Sequence, residues 1–289
     1  MITPDQINEY KQKGFVVLHD ILTSVEIARM EADLESFLSR QSDGKERHEY
    51  LEIERDPGGQ ETGTFRRINH PHRILETVAE FSRSQKLIDI MTPILGPNVR
   101  LHNSKINLKL PSGAPVEWHQ DWAFYPHTND DFLTVGVLLD DASDFNGGML
   151  CIPGSHRGAV YDHRNSITGN FCHAIESPES KLNLANAEGL FARKGSLTLH
   201  HVRTLHGSGP NHSNSARRLL LIGYAAADAW PLLGVSRYDE FERAMVSGKS
   251  TVFPRMEALP LTVPFPISRF GDQIFESQRE LQKSHFVSA

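Results

Sequence analysis

Gly96-Pro97 divides this chain into two kinds of text, and that division constrains the fold more than any other feature. Glycine lets a helix end in a conformation other residues avoid, and proline cannot continue one. Upstream, helix signals recur. Thr3-Pro4-Asp5-Gln6 supplies an N-cap, a proline at the first helical position and a glutamine three residues after the cap, and Gly14 ends that helix. Phe15-Val16-Val17-Leu18 reads as a short buried strand. Thr23 and Glu26 form a second capping box, opening a helix expected to turn Val25, Ile27, Met30 and Leu34 towards the core. From about residue 41 to 64 the chain is polar and carries Asp56-Pro57-Gly58-Gly59, the composition of a loop. A third helical stretch runs from about Ile74 to Leu95.

Downstream the text turns to strands: Val99 to Leu110, Leu133 to Leu139, Met149 to Ile152, Ser196 to His201 and Arg217 to Ala226. Pro111-Ser112-Gly113, Asn146-Gly147-Gly148, Pro153-Gly154-Ser155 and Gly207-Ser208-Gly209-Pro210 punctuate them. Helices followed by strands predict a mainly β fold with flanking helices, a sandwich or barrel. The 289 residues contain no internal repeat. We read one domain over 1–289: a mostly helical flank at 1–97, a β core at 98–228 and a C-terminal extension at 229–289.

Composition sets limits on partners. Hydrophobic content of 39% and charged content of 23% are those of an ordinary globular protein. A net charge of -6 argues against a nucleic-acid surface and leaves room for a local basic pocket. Cys151 and Cys172 are too few for a disulfide framework or a zinc ribbon and read as reduced thiols. No signal peptide opens the chain, and no apolar run approaches the ~18 residues of a membrane span. The expectation is a soluble cytoplasmic protein with a small-molecule substrate, no nucleic-acid or membrane partner, and an oligomeric state that the sequence leaves open.

The 15 histidines are more than this length needs, and several cluster between Trp118 and His212. In Trp118-His119-Gln120-Asp121-Trp122, His119 and Asp121 stand two apart, which on a strand places both side chains on one face. His206 closes a later apolar stretch before a glycine turn and is the best third ligand. Two histidines and a carboxylate on one face of an octahedron leave the opposite face open, the arrangement of non-haem Fe(II) oxygenases. A His-x-Asp pair alone is weak evidence, since most such pairs are surface or hydrogen-bonded residues.

The surrounding text adds specificity. An apolar strand ending in Asp140-Asp141 is followed by Asn146-Gly147-Gly148 and Ile152-Pro153-Gly154-Ser155-His156. His206-Gly207-Ser208-Gly209-Pro210-Asn211 and Arg217-Arg218 then complete the series. This order and spacing resembles the phytanoyl-CoA dioxygenase family of Fe(II)/2-oxoglutarate oxygenases, from the first helix to about Ala226. The resemblance implies a double-stranded β-helix, a jelly roll related to the cupins. It implies His119, Asp121 and His206 as iron ligands and catalytic centre, with Fe(II), 2-oxoglutarate and O2 as cofactor and cosubstrates. Arg217 falls on the arginine that holds the distal carboxylate of 2-oxoglutarate, where a guanidinium fork makes two parallel bonds, and Ser208 lies close by. Arg218 is the rival, but strand alternation sends it to the opposite face.

Lys105, Asn107 and Lys109 share one face of a strand. Such a face usually meets solvent, yet the family's matching strand lines the cosubstrate site, so Lys105 and Asn107 are cosubstrate candidates. Arg66 and Arg67 fall near a basic contact of the family, with Arg67 the candidate carried forward; Thr134 is a further one. His156, His200 and His201 stay outside the metal site.

The implied reaction couples oxidative decarboxylation of 2-oxoglutarate to hydroxylation of a small molecule, with desaturation or rearrangement as variants. Related halogenases carry a small residue where Asp121 stands, which argues against halogenation. Nothing resembles a coenzyme A site. The polar insertion from Tyr161 to Asn186 reads as a loop or lid, and the tail from Trp230 to Pro266, with Tyr238, Phe241 and Phe253, is placed to close the same pocket. The competing readings are a non-catalytic jelly-roll binding protein, a zinc hydrolase and a cupin-like metal-dependent isomerase.

Overall fold

The structure, a computed structural model, describes residues 2–42, 48–55, 60–175, 182, 184–261, 274–279, 281 and 284–286. Helix α1 (Pro4–Lys13) starts where Thr3 Oγ1 accepts from the Gln6 amide at 3.2 Å and the Gln6 side chain accepts from the Thr3 amide at 2.9 Å. It ends at Gly14, whose φ of 85° suits glycine. The Gly14 carbonyl then accepts from the His201 amide and from Thr204 Oγ1, both at 2.8 Å, which ties the helix end to the β core. Strand β1 (Phe15–Leu18) follows, then α2 (Ser24–Ser42) with its Thr23–Glu26 box closed. Ile27, Met30 and Leu34 are buried as expected, but Val25 is 67% exposed. Two residues along a helix is about 200°, so Val25 faces away from Ile27.

Two expectations upstream of Gly96 need correction. The stretch read as a loop contains β2 (Leu51–Arg55) and β3 (Glu61–Asn69), an antiparallel pair; residues 56–59 lie outside the described residues. Alternation was hidden because Glu52, Arg66 and Arg67 occupy buried positions of this pair that sequence patterning assigns to apolar residues. The third helical stretch is two helices, α3 (Glu76–Ser82) and α4 (Gln85–Leu95), separated at Arg83-Ser84, where Ser84 caps the second. Gly96 ends α4 as predicted.

The remaining strands are β4 (Val99–Lys109), β5 (Val116–His119), β6 (Phe132–Leu138), β7 (Met149–Cys151), β8 (Glu188–Gly189), β9 (Leu197–His201), β10 (His206–Ser208) and β11 (Arg217–Ala226). Helix α5 (Tyr238–Arg243), strand β12 (Met245–Ser247) and helix α6 (Ile274–Gln278) complete the described elements. One sheet runs β1-β9-β6-β11-β4-β3-β2 with β12 on β4, and the other β5-β10-β7-β8, all antiparallel. This is the jelly roll. Alternation sorts the large sheet's side chains. Ile106, Leu108, Leu220 and Ile222 join the core formed with α1 to α4. Their neighbours Lys105, Asn107, Lys109, Arg217, Leu219 and Leu221 line a cavity on the other face. Among the described residues no helix is long and apolar enough to cross a membrane.

A Cβ at Gly14 would stand 2.5 Å from His156 Nδ1 and 2.6 Å from Thr204 Oγ1, in a left-handed backbone. Gly14→Ala should therefore cost about 1–3 kcal/mol, read as a lower urea midpoint. Burial pushes His127 and His163 down to about 4. An unfolded histidine protonates near 6.5, so stability present above that pH should be lost as pH falls from 6.5 to 4. Urea titrations across that window should show a fall of up to about 1.4 kcal/mol per pH unit for each such histidine; a flat profile would contradict the burial.

Candidate active site

His119 ends β5 and pairs across the ladder with His206 on β10. After His119 the chain leaves the strand: Asp121 opens a 3-10 turn, Asp121–Ala123. The expectation that both ligands sit on one strand is thus corrected, although the two side chains still converge. Gln120 is the pivot. Its backbone is extended, and its side-chain amide donates to the Ala159 and Arg203 carbonyls at 3.1 and 2.9 Å and accepts from the Tyr161 amide at 2.9 Å. Ligand atoms of His119, Asp121 and His206 all lie within 4.8 Å of one another, and all three residues are buried.

Their protonation fits a metal. His119 Nδ1 donates to the Glu117 carbonyl at 2.7 Å and His206 Nδ1 to the Thr204 carbonyl at 2.9 Å. A carbonyl only accepts, so each Nδ1 carries the proton and each Nε2 keeps a lone pair. Burial holds His119 well below its ordinary value and His206 at about 4, so both are neutral at pH 7. Burial alone would raise the Asp121 carboxyl. The His200 hydrogen bond and the nearby His206 and Lys105 outweigh it and hold Asp121 well below the usual carboxylate range. Two neutral imidazoles and an ionised carboxylate are the donor set that Fe(II) takes.

Thr134, expected against the cosubstrate, stands instead behind the metal ligand. Its hydroxyl donates to Asp121 Oδ2 at 3.2 Å, and His200 Nε2 lies 3.3 Å from the same oxygen. Oδ1, 3.9 Å from His206 Nε2, is the oxygen that would be free to hold a metal. His156 and His201 lie outside the triad; His156 Nε2 lies 3.2 Å from the Lys11 carbonyl.

The cavity beside the triad holds the remaining candidates, Arg217, Ser208, Asn107, Lys105 and Arg67, together with Lys109, which strand parity grouped with them but which was not put forward. Arg217 is 4% exposed, and burial lowers its guanidinium to about 10. Its Nε has no hydrogen-bond partner, and no described carboxylate forms an ion pair with it. Lys109 Nζ donates to Ser208 Oγ at 2.6 Å, and burial followed by the charge of Arg217 pushes its pKa well down. Arg218 points the other way, as alternation required, to Asp140 at 2.7 Å and to Glu31 of α2.

Arg66 and Arg67 are adjacent, and regular alternation admits only one of them to a given face. The β2–β3 register shifts between Arg67 and Phe65, leaving Arg66 as an extra residue, and such a bulge re-aims side chains. Both guanidiniums are buried and lie 4.7 and 4.8 Å from the Phe275 ring of α6.

The polar insertion contributes packing as well as surface. Phe171 to Ile175 are buried, and Phe124 packs between His119 on one side and Phe171 and His173 on the other; residues 176–181 and 183 lie outside the described residues. The described part of the tail, up to residue 261, does not line the cavity; beyond it, Ile274 and Phe275 of α6 do. Trp230 packs on Phe241, Tyr238 and Phe253 are exposed, and none of these lines it; residues 262–273 are outside the described residues.

The sequence model of the phytanoyl-CoA dioxygenase family matches residues 10–219. The chain belongs to this family. It is 52% identical over 284 residues to a probable alpha-ketoglutarate-dependent hypophosphite dioxygenase of Stutzerimonas stutzeri, covering 98% of this chain and 99% of that one. An ectoine dioxygenase of Streptomyces avermitilis is 27% identical, covering 73% and 74%. Among solved structures, EctD from S. alaskensis with 2-oxoglutarate and 5-hydroxyectoine superposes with a TM-score of 0.67 at 24% identity, covering 90% and 89%. The fold and the metal triad agree with the family. The protein is an Fe(II)- and 2-oxoglutarate-dependent dioxygenase, and the binding-module, hydrolase and isomerase readings give way.

Removing the Thr134 hydroxyl tests how Asp121 is held. Thr134→Val should weaken Fe(II) or Co(II) binding about 10–100-fold in calorimetric titration, with little change in fold; unchanged affinity would show that the hydroxyl does not orient the carboxylate.

Proposed function

We propose that the protein hydroxylates a small phosphorus oxyanion, hypophosphite, at a P–H bond. The observation that carries this reading is 52% identity along essentially the whole chain to a relative named for that substrate. The cationic lining of the cavity, with Arg66, Arg67, Lys105, Lys109 and Arg217, supports it, because an anion loses its water on entering and needs charged donors in exchange.

In this reading His119, Asp121 and His206 hold Fe(II), which when bound supplies the activation of O2. Arg217 receives the distal carboxylate of 2-oxoglutarate through its fork, with Ser208 and Lys109 beside it. Val116, Met149 and Leu219 keep that end apolar, which strengthens each charged contact. Of the two oxygen atoms of O2, one enters the new carboxylate of succinate as CO2 leaves. The other enters a P–H bond, so that H2PO2− becomes H2PO3−; phosphorus and 2-oxoglutarate each give up two electrons, and O2 takes four. Cys151 and Cys172, both buried and in no disulfide among the described residues, suit a reducing cytosol as the place of action.

With Fe(II), 2-oxoglutarate and O2, hypophosphite should stimulate succinate release with phosphite formed in equal amount, measured by phosphorus NMR. Stimulation by ectoine or L-proline and none by hypophosphite would overturn the substrate assignment. Arg217→Ala should raise the 2-oxoglutarate concentration for half-maximal turnover at least about ten-fold. Arg218→Ala should leave it nearly unchanged and lower the melting temperature instead; equal effects on turnover would contradict the cosubstrate role.

A further inference from the structure

The cations of the iron cavity fall into two groups. Arg217, Lys109 and Ser208 form one, at the end of β4 and β11, where Lys109 pairs in register with Arg217. Lys105 stands four residues back along β4, about 13 Å at ~3.3 Å per residue. It is close enough to the triad that its charge bears on His119, Asp121 and His206. Arg67 reaches the same place from β3. In the β3–β4 ladder Arg67 pairs with Asn107 and Asn69 with Lys105, so Arg67 and Lys105 are diagonal neighbours. Diagonal positions lie ~7–8 Å apart, a gap that two long cationic side chains can bridge through one small tetrahedral anion.

A second cavity adjoins the first, and the two share Arg67, Lys105 and Ile274. The second is polar, lined among others by Tyr50, Asn69, His70 and Asn103. The Arg217 group lines only the first. A single 2-oxoglutarate spans from the metal to one cation group, and Arg217 with Lys109 and Ser208 suffices for its far carboxylate. Arg67 and Lys105 stand instead where the iron cavity meets the neighbouring one. The Arg67 guanidinium is held there by its Nε donating to Asn107 Oδ1 at 2.9 Å, by Glu52 Oε1 3.7 Å from its Nη1 and by the Phe275 ring.

We infer that Arg67 and Lys105 form the substrate's own anion subsite, separate from the cosubstrate anchor, at the junction through which a small oxyanion reaches the iron. This rests on the oxyanion reading above and changes the earlier expectation that both residues serve 2-oxoglutarate. Arg67 and Lys105 take the two oxygens of hypophosphite, which leaves a P–H bond free to face the metal. Ile274, shared by both cavities, and Phe275 place apolar side chains beside the junction.

The test uses the whole protein, anaerobic, with Fe(II) and 2-oxoglutarate, whose visible charge-transfer band reports on both ligands. Hypophosphite should perturb the wild-type band. Lys105→Gln and Arg67→Gln should each raise its apparent Kd at least ten-fold, while the 2-oxoglutarate titration moves less than three-fold. Arg67→Lys should recover part of the affinity, and Arg217→Ala should show the reverse pattern. Lys105 is only partly buried, so Lys105→Gln serves if Arg67→Gln fails to fold. If the variants bind hypophosphite like wild type, or lose 2-oxoglutarate as strongly, the inference is overturned and the oxyanion reading stands. If wild type responds to phosphite or formate but not hypophosphite, and the variants lose that response, the subsite stands and the hypophosphite reading fails. If no oxyanion perturbs the wild-type band, the subsite is overturned.

Discussion

An antiparallel ladder fixes where the side chains of two strands meet, and the pairing of His119 with His206 makes one metal centre from residues far apart in the chain. The rest of the site depends on that pairing. Each imidazole donates through Nδ1 to the carbonyl two residues before it, so the backbone that forms the strands also fixes the tautomers. Gln120 then turns the chain out of β5 at the point that brings Asp121 alongside, and its amide is hydrogen-bonded to three backbone groups from other parts of the chain. The geometry of the triad is thus a property of main-chain hydrogen bonding more than of the ligands themselves.

The large sheet separates two environments by alternation alone. Its outer face is apolar and packs on the four N-terminal helices, where most of the core lies. Its inner face carries lysine, asparagine and arginine into the cavity. Adjacent residues on one strand therefore meet opposite fates. Arg217 is buried facing the cavity with its Nε unpartnered, and Arg218 is paired with Asp140 and Glu31. Burying cations without compensation is costly, and the buried Glu52, 3.7 Å from both Arg66 and Arg67, supplies part of that compensation.

Local chemistry was legible wherever neighbours in sequence are neighbours in space. Both capping boxes, Gly14, the stop at Gly96 and the opposite orientations of Arg217 and Arg218 follow from rules spanning a few residues. The β2–β3 pair was not legible, because its buried positions carry charge, and hydropathy cannot distinguish a charged residue in a site from one in water. The joint inward turn of Arg66 and Arg67 needed a bulge that only the partner strand's register creates. Thr134 was expected to face the cosubstrate, and it faces Asp121 because the turn at Gln120 brings the carboxylate onto β6.

By itself, then, the sequence determined the change from helices to strands at Gly96-Pro97, the identity of the iron ligands and the opposite orientations of Arg217 and Arg218, since these rest on periodicity, turn chemistry and family spacing. Tertiary structure alone decided which polar side chains share a cavity. It placed Lys109 beside Ser208, set Arg67 diagonal to Lys105, and put Thr134 and His200 behind Asp121. The reason is physical. Spacing along a strand fixes the face on which a side chain emerges, whereas what it meets there depends on the register of other strands, which no local pattern encodes.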